Sequence, residues 1–192
     1  KKNISNQSGF TLIEMLTSMS ILLILTFMVV ANYNTAGKKG ELNIAAQQLA
    51  SDIRRVQAHA LGLKEFDFGS GLENPPGGWG IYFRDQGPNR YGYYFFADDG
   101  DHRRHNNGSE DFGGEILFPG EIAIVAHHGL FIDGSEENPI FISFQPPDPI
   151  VWICDNQGAS CTSGDSAKII LTNDSGNKII YINKFGLVDI LN

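Results

Sequence analysis

An apolar run of twenty residues, Leu12–Ala31, constrains this chain more than any other feature of its sequence. Glu14 is the only formally charged residue in the run. The hydrocarbon core of a bilayer is about 30 Å thick, and an α-helix rises by about 1.5 Å per residue. A helix of this length and composition can therefore cross a bilayer. An ionised carboxylate in lipid costs at least about 2.5 kcal/mol, so we expect Glu14 to have a partner.

A sharp boundary between polar and apolar residues lies in front of this run, between Gly9 and Phe10. The preceding residues are polar and include Lys1 and Lys2, and no small-residue cleavage site of the secretory type follows Ala31. We therefore expect a processing signal to lie before the helix rather than after it.

The string Gly9-Phe10-Thr11-Leu12-Ile13-Glu14 resembles the signal of the type IV prepilin family. The resemblance implies that a prepilin peptidase cuts between Gly9 and Phe10 at the cytoplasmic face, and that the new Phe10 amine is methylated. In that setting, Glu14 of one subunit can neutralise the Phe10 amine of a neighbour, because buried charges are tolerated when they are paired. The alternative is a helix-terminal glutamate that reaches the lipid headgroups of a single-span anchor.

Length and charge indicate one anchored domain with an acidic surface. The chain has 192 residues, of which 42% are hydrophobic, and a formal net charge of −8. Loss of Lys1 and Lys2 with the leader would make the charge −10, since −8 − 2 = −10. An acidic surface keeps an exported domain soluble and argues against a general nucleic-acid surface, which needs clustered Lys and Arg.

Beyond Ala31 the helical period continues, but the pattern becomes amphipathic. Gly37 and Gly40 each cost about 1 kcal/mol relative to Ala, so we expect a bend or a local loss of helix between Asn34 and Gly40. The pattern predicts one helix from Phe10 to Leu61 whose second half packs an apolar stripe against a sheet. The stripe consists of Leu42, Ala45, Ala46, Leu49, Ile53, Val56 and Ala60.

Strand-like runs dominate the sequence after a connector rich in Gly and Pro, Gly62–Gly78. A long helix followed by short antiparallel strands predicts an α+β, pilin-like fold in which a sheet covers the stripe. The runs are Gly80–Arg84, Tyr91–Ala97, Glu115–Phe118, Ala123–Ala126, Ile140–Phe144, Ile150–Cys154, Ala167–Thr172, Lys178–Asn183 and Leu187–Ile190.

The second half of the chain is similar to the GspH/FimT-type domain of minor pseudopilins. The similarity rests on the strand GWGIYF, on AKIILT, and on a terminal hairpin of the form I-x-x-N-x-x-G-x-V-x-I from Ile180 to Ile190. Together with the prepilin resemblance and the helical pattern, it implies four segments, which are a leader (1–9), a transmembrane or filament-core helix (10–31), its amphipathic continuation (32–61) and an extracytoplasmic β-rich domain (62–192).

The polar loop from Asp98 to Asp111 is the best candidate for a metal site. Asp98, Asp99 and Asp101 offer the oxygen ligands that calcium prefers, and several pilin-like proteins carry a calcium-type loop at about this place. Two arginines intrude where ligands would lie, however, and the spacing is not that of an EF-hand. We therefore favour a solvated loop and expect no cofactor, with calcium as the alternative.

Cys154 and Cys161 are the only cysteines, and six residues separate them. Outside the cytoplasmic membrane such a pair predicts a disulfide, which would contribute about 2.5 kcal/mol in the chain-entropy model. Free thiols would be expected only for a domain that stays in the cytosol.

Aromatic residues cluster on the strand-like runs, and strand alternation predicts that about half of them are exposed. Exposed tyrosines could bind glycans or partners, although packing explains them with less effort. The sequence contains no nucleophile elbow, zinc-protease motif or phosphate loop. We therefore predict that the protein is not an enzyme.

These features predict a structural subunit of a type IV pilus-like filament or a type II secretion pseudopilus. The resemblance implies three kinds of partner: pilin or pseudopilin subunits, a prepilin peptidase and an inner-membrane assembly platform. The subunit would start as a single-pass inner-membrane protein and end in an extracytoplasmic or cell-surface filament. The alternative is a single-span anchored β-domain that binds a glycan or calcium without polymerising.

Overall fold

A computed structural model describes residues 9–85, 91–100, 111–119, 122–124, 130–137, 139–147, 150–155 and 165–191. In this part of the chain one long helix is followed by thirteen short strands. The chain divides into two compact units, Lys1–Lys38 and Lys39–Asn192. The predicted α+β architecture is confirmed.

The helix α1 spans Leu12–Leu61, within two residues of its predicted start. Each predicted strand-like run overlaps an observed strand. The strands are β1 (Phe66–Asp67), β2 (Leu72–Glu73), β3 (Gly78–Asp85), β4 (Tyr91–Asp98), β5 (Asp111–Leu117), β6 (Ala123–Ile124), β7 (Leu130–Ile132), β8 (Ser135–Glu136), β9 (Ile140–Gln145), β10 (Ile150–Asp155), β11 (Ser166–Asn173), β12 (Gly176–Asn183) and β13 (Val188–Leu191).

The backbone of α1 stays helical through Gly37 and Gly40. The predicted loss of helix between Asn34 and Gly40 is therefore wrong, whereas a bend there stays a prediction. Helix propagation is cooperative, so two glycines flanked by long helical stretches cost less than breaking the hydrogen bonds of a whole turn.

Apart from the two-stranded β1–β2 sheet, the strands form two large sheets rather than the single sheet predicted from the sequence. One sheet has the order β10-β9-β3-β4-β5, and the other has the order β13-β12-β11-β7-β8, with β6 pairing to β11. All these pairs are antiparallel. The one-sheet prediction failed because strand periodicity reports which residues face a core but not which strands pair.

The predicted stripe on α1 is buried, as expected, against both sheets. Its seven residues are at most 3% exposed, and Ala50 joins them. One continuous core contains this stripe, side chains of the first sheet such as Trp79 and Ile142, and side chains of the second such as Leu171 and Ile182. Burial of this apolar surface is the main force that holds the second half of α1 to the sheets.

The predicted connector Gly62–Gly78 contains a small hairpin, β1–β2, that the sequence reading missed. The Asp67 carboxylate accepts hydrogen bonds from the backbone N–H groups of Gly69 (2.8 Å) and Gly71 (3.2 Å). Both glycines have positive φ angles, which glycine adopts without strain. The polar, glycine-rich composition therefore encodes a tight turn rather than an open connector.

Strand aromatics fill both faces of the first sheet, so the prediction that half of them are exposed is wrong. Tyr93 and Phe95 face the core with α1, whereas Tyr82, Phe96 and Phe141 form a second buried cluster. Among the strand tyrosines whose side chains the structure describes, Tyr82 and Tyr93 are buried, whereas Tyr94 and Tyr181 are half-buried.

Candidate functional site

The start of α1 is organised by Thr11 and Glu14. The Thr11 backbone N–H and hydroxyl group both donate to Glu14 Oε2, at 2.8 and 2.7 Å. In return the Glu14 N–H donates to the Thr11 hydroxyl at 3.3 Å. This reciprocal arrangement is a capping box, in which a residue at the helix start and the residue three positions later satisfy each other's backbone groups.

The capping box gives Glu14 a role within its own chain that the sequence reading missed. The T-x-x-E spacing of Thr11 and Glu14 is the signal that would have found it. Both bonds from Thr11 use Oε2, and among the described residues Oε1 accepts no hydrogen bond. The carboxylate is thus fixed in orientation while one oxygen stays available to a group on another chain.

The following segment, Leu12–Val30, is long and apolar enough to cross a membrane, with a mean hydropathy of 2.2 and no part of it buried within the chain. Its hydroxyl groups are satisfied locally, because Ser18 donates to the Glu14 carbonyl at 2.7 Å and Thr26 donates to the Leu22 carbonyl at 2.8 Å. Internally bonded polar groups are what an apolar environment requires.

The second half of α1 holds the turn between β12 and β13 through two side chains. Arg54 Nη2 donates to the Val188 carbonyl at 3.1 Å, and Gln57 Nε2 donates to the Gly186 carbonyl at 2.6 Å. Asn183 Oδ1 accepts the N–H groups of Phe185 and Leu187, both at 3.0 Å. The helix therefore fixes the backbone of this turn.

The geometry of this turn explains the spacing of the I-x-x-N-x-x-G-x-V-x-I signature, which runs from Ile180 to Ile190. Gly186 has a φ of +77°, and a Cβ there would lie 2.5 Å from Gln57 Nε2. Asn183 caps the turn through its side chain, while Ile180 and Val188 are buried on either side of it. Each fixed position of the signature thus corresponds to a backbone or packing requirement.

Residues 4–30 match the family model described as the prokaryotic N-terminal methylation motif. This segment is a prepilin-type signal. The match contains the Gly9-Phe10 junction, the Thr11–Glu14 capping box and the apolar first half of α1. Comparisons of the chain with curated proteins and with solved structures found no significant match.

The prepilin-type signal indicates a precursor of the type IV pilin or pseudopilin kind that a peptidase processes. Such a precursor is anchored in the inner membrane by its apolar helix, as the exposed segment Leu12–Val30 also indicates. The signal points to a structural protein rather than to an enzyme.

A hydrogen bond joins the second half of α1 to the first sheet. Tyr93 Oη donates to Asp52 Oδ2 at 2.6 Å, and the tyrosine is fully buried. Burial, followed by the bond to Asp52, raises the pKa of Tyr93 far above its usual range, so the phenol stays a donor at any physiological pH. We expect this bond to fix the rotation of α1 relative to the sheet.

The structure describes only part of the candidate calcium loop. Asp98 is buried at the end of β4, where its Oδ1 accepts the N–H of Gly100 at 2.8 Å. Asp99 is exposed beside it, and Asp101 lies outside the described residues. The described part of the chain contains no group of three or more His, Cys, Asp or Glu side chains arranged to hold a metal ion. The solvated loop therefore stays the prediction, with calcium binding as its alternative.

Cys154 lies buried on β10 and is not a free thiol. Its predicted partner, Cys161, lies outside the described residues. The disulfide between them therefore stays a prediction.

His59, near the end of α1, is packed among aromatic rings and cations. Its ring contacts Trp79 and Phe112 edge to face, at centroid distances of 5.1 and 5.9 Å. Burial lowers the pKa of His59, and the positive charges of Lys64 and Arg55 lower it further. The folded chain therefore favours neutral His59.

Acidification is expected to destabilise the fold through His59. Its pKa is lower in the folded than in the unfolded chain, so the unfolded chain binds more protons and stability falls as the pH drops through about 6.5. Unfolding of the native chain and of His59→Phe, which keeps an aromatic ring, should be compared between about pH 8 and pH 5. The stability difference should shift in favour of the variant at low pH, and a difference independent of pH would contradict the assignment.

Proposed function

We propose that this prepilin is a structural subunit of a type IV pilus-like filament or a type II secretion pseudopilus. A prepilin peptidase would cut between Gly9 and Phe10, and methylation of Phe10 would follow. An inner-membrane assembly platform would then move the subunit from the membrane into the filament. The methylation motif at residues 4–30 is the observation that carries this proposal.

The exposure of the first half of α1 supports assembly through this helix. Large apolar side chains from Leu12 to Val30 are all more than half exposed in the isolated chain. Surface of this kind requires cover by lipid before assembly and by other apolar helices afterwards. A bundle of such helices in the core of a filament would provide the second kind of cover.

The geometry of Glu14 supports its proposed pairing with the Phe10 amine of a neighbouring subunit. Thr11 holds the carboxylate at the start of the helix through Oε2, and Oε1 can accept a hydrogen bond from an ammonium group. A desolvated ion pair needs such additional hydrogen bonds to compensate for the loss of water. The capping box and the pairing between subunits are therefore compatible roles of one side chain.

The C-terminal turn supports a narrower assignment to the minor pseudopilins of the GspH/FimT type. The resemblance rests on the hairpin from Ile180 to Ile190, whose Asn183 and Gly186 have definite structural roles. In this assignment the β-rich domain, residues 62–192, lies outside the cytoplasmic membrane. Cys154 and Cys161 would form a disulfide there.

The mass of the native N-terminus tests the proposal. Protein purified from its native cells should begin at Phe10 and carry one methyl group on the amine, and filaments imaged by electron microscopy should contain it. Recovery of an uncut, solitary anchor that retains Lys1 and Lys2 would contradict the proposal. That result would favour an anchored domain that binds a small ligand.

A further inference from the structure

An apolar cavity of about 270 Å³ lies where the last turn of α1 meets the first sheet and the turn between β12 and β13. We call it the helix-end cavity, because α1 ends at its lining residue Leu61. Large and small apolar side chains form most of its wall. They belong to Ala60, Leu61, Phe144, Pro146, Val151 and Phe185.

Exposed apolar side chains surround the mouth of the helix-end cavity. Phe185 is 78% exposed and Leu61 is 60% exposed, although both also line the cavity. Leu187, which follows the lining residue Gly186, is 62% exposed. Exposed apolar side chains that cluster around a cavity are typical of a docking site for another molecule.

The two glutamines that line the helix-end cavity are engaged within the folded unit. Gln57 Nε2 donates to the Gly186 carbonyl at 2.6 Å, and Gln145 Nε2 donates to the Pro76 carbonyl at 3.1 Å. Gln145 Oε1 accepts a hydrogen bond from Trp152 Nε1 at 3.3 Å. Polar groups that already have partners lose little when water leaves, so the cavity suits an apolar occupant.

The first half of α1 has the matching chemistry. Leu12–Val30 is apolar, and none of it is buried within the described chain. Its hydroxyl groups all donate to carbonyl groups of the same helix, so none of them requires a partner from outside. They belong to Thr17, Ser18, Ser20 and Thr26.

Three of the large side chains in this segment form a ridge that fits a cavity. Met19, Leu23 and Phe27 follow one another at intervals of four residues, which places them on one face of the helix. Each of them is at least 60% exposed. A ridge of this kind enters an apolar groove in the same way as the anchor residues of other helices that bind in grooves.

We propose that the helix-end cavity receives this ridge from the first half of α1 in a second copy of the chain. A second copy is the occupant because every copy carries both surfaces, and because the chain itself leaves Leu12–Val30 uncovered. The contact joins two different surfaces, so it repeats from copy to copy. The inference rests on the proposed function, since assembly is what takes the helix out of lipid.

A lipid acyl chain is the competing occupant of the helix-end cavity, since it is also apolar. An acyl chain gains little by leaving a bilayer for a cavity of similar polarity, whereas the helix must replace the lipid that it loses on assembly. We therefore favour the helix, and the test distinguishes the two occupants.

Polar substitution at the mouth of the cavity tests the contact in the full chain and its native cells. The variant Leu61→Gln/Phe185→Gln should lower filament yield about tenfold or more, because it places amide groups in an apolar contact. Leu117→Gln is the matched control, since Leu117 is 59% exposed and lies on β5, at the opposite edge of the first sheet from β10. The N-terminal mass and the denaturation midpoint of each variant check processing and folding.

Photo-crosslinking from the mouth of the cavity identifies the occupant directly. We expect p-benzoylphenylalanine in place of Phe185, which keeps an aromatic side chain there, to join two copies of the chain. Mass spectrometry should place the other end of the adduct within Leu12–Val30, and the same amino acid in place of Leu117 should give no such adduct. An adduct to lipid, to a different protein or to another part of a second copy overturns the inference, as does the absence of any adduct.

The filament yields separate this inference from the proposed function. Normal yield from Leu61→Gln/Phe185→Gln overturns the inference but leaves the proposed function intact, whereas absence of filaments from the unmodified chain overturns both. An equal loss of yield from Leu117→Gln also overturns the inference, because the effect would then not be specific to the cavity.

Discussion

The variant Glu14→Ala is expected to lower the amount of assembled filament at least about tenfold, because removing one partner of a desolvated ion pair leaves the other charge uncompensated. Cleavage after Gly9 should remain largely intact, since the substitution lies within the mature chain. Filament yield measured by quantitative microscopy, with the N-terminal mass from the same cells, separates the two effects. Normal filament yield from Glu14→Ala would contradict the proposed pairing with Phe10.

The capping box makes it necessary to separate two roles of Glu14. Glu14→Gln removes the charge but keeps an acceptor three residues after Thr11, as glutamine also serves in a capping box. Thr11→Val keeps the charge but removes the hydroxyl group that bonds to Glu14. If pairing with Phe10 dominates, Glu14→Gln should assemble as poorly as Glu14→Ala, and Thr11→Val should assemble much better. The reverse order would show that helix capping is the main role.

The N-terminal helix and the stripe were predictable because their signals are local. An apolar run and a period of three to four residues can be counted along the chain, and the stripe from Leu42 to Ala60 is buried as expected. The capping box was equally predictable from the T-x-x-E spacing of Thr11 and Glu14, which is a local signal as well.

The two-sheet arrangement and the helix-bound turn were not predictable for a different physical reason. The pairing of β3 with β9 joins distant parts of the chain, and strand periodicity carries no information about which partner a strand selects. Arg54 and Gln57 donate to backbone carbonyl groups of Val188 and Gly186. Every residue has such a carbonyl, so the sequence cannot identify the acceptor. Gly186 indicates only that the backbone can adopt a positive φ angle at this position.

The largest loss of stability is expected when the helix stripe is truncated at its centre. Ile53 is fully buried between α1 and the sheets, so Ile53→Ala removes buried methyl groups and leaves a cavity, at a cost of about 3 kcal/mol in the free energy of unfolding. Ile44 lies on the same helix and is 61% exposed. Ile44→Ala is thus a matched control that should change the stability by less than about 0.5 kcal/mol.

Both variants replace Ile by Ala on the same helix, so the difference in helix propensity cancels when their stabilities are compared. Burial of the side chain is then the remaining variable. Both tryptophans, Trp79 and Trp152, lie on strands of the first sheet, so their fluorescence in detergent-solubilised chain reports unfolding of the β-rich domain rather than of the apolar helix. Equal denaturation midpoints for the two variants would show that the stripe does not hold the sheets. A large gap between them would establish the second half of α1 as part of the folded core rather than a tether.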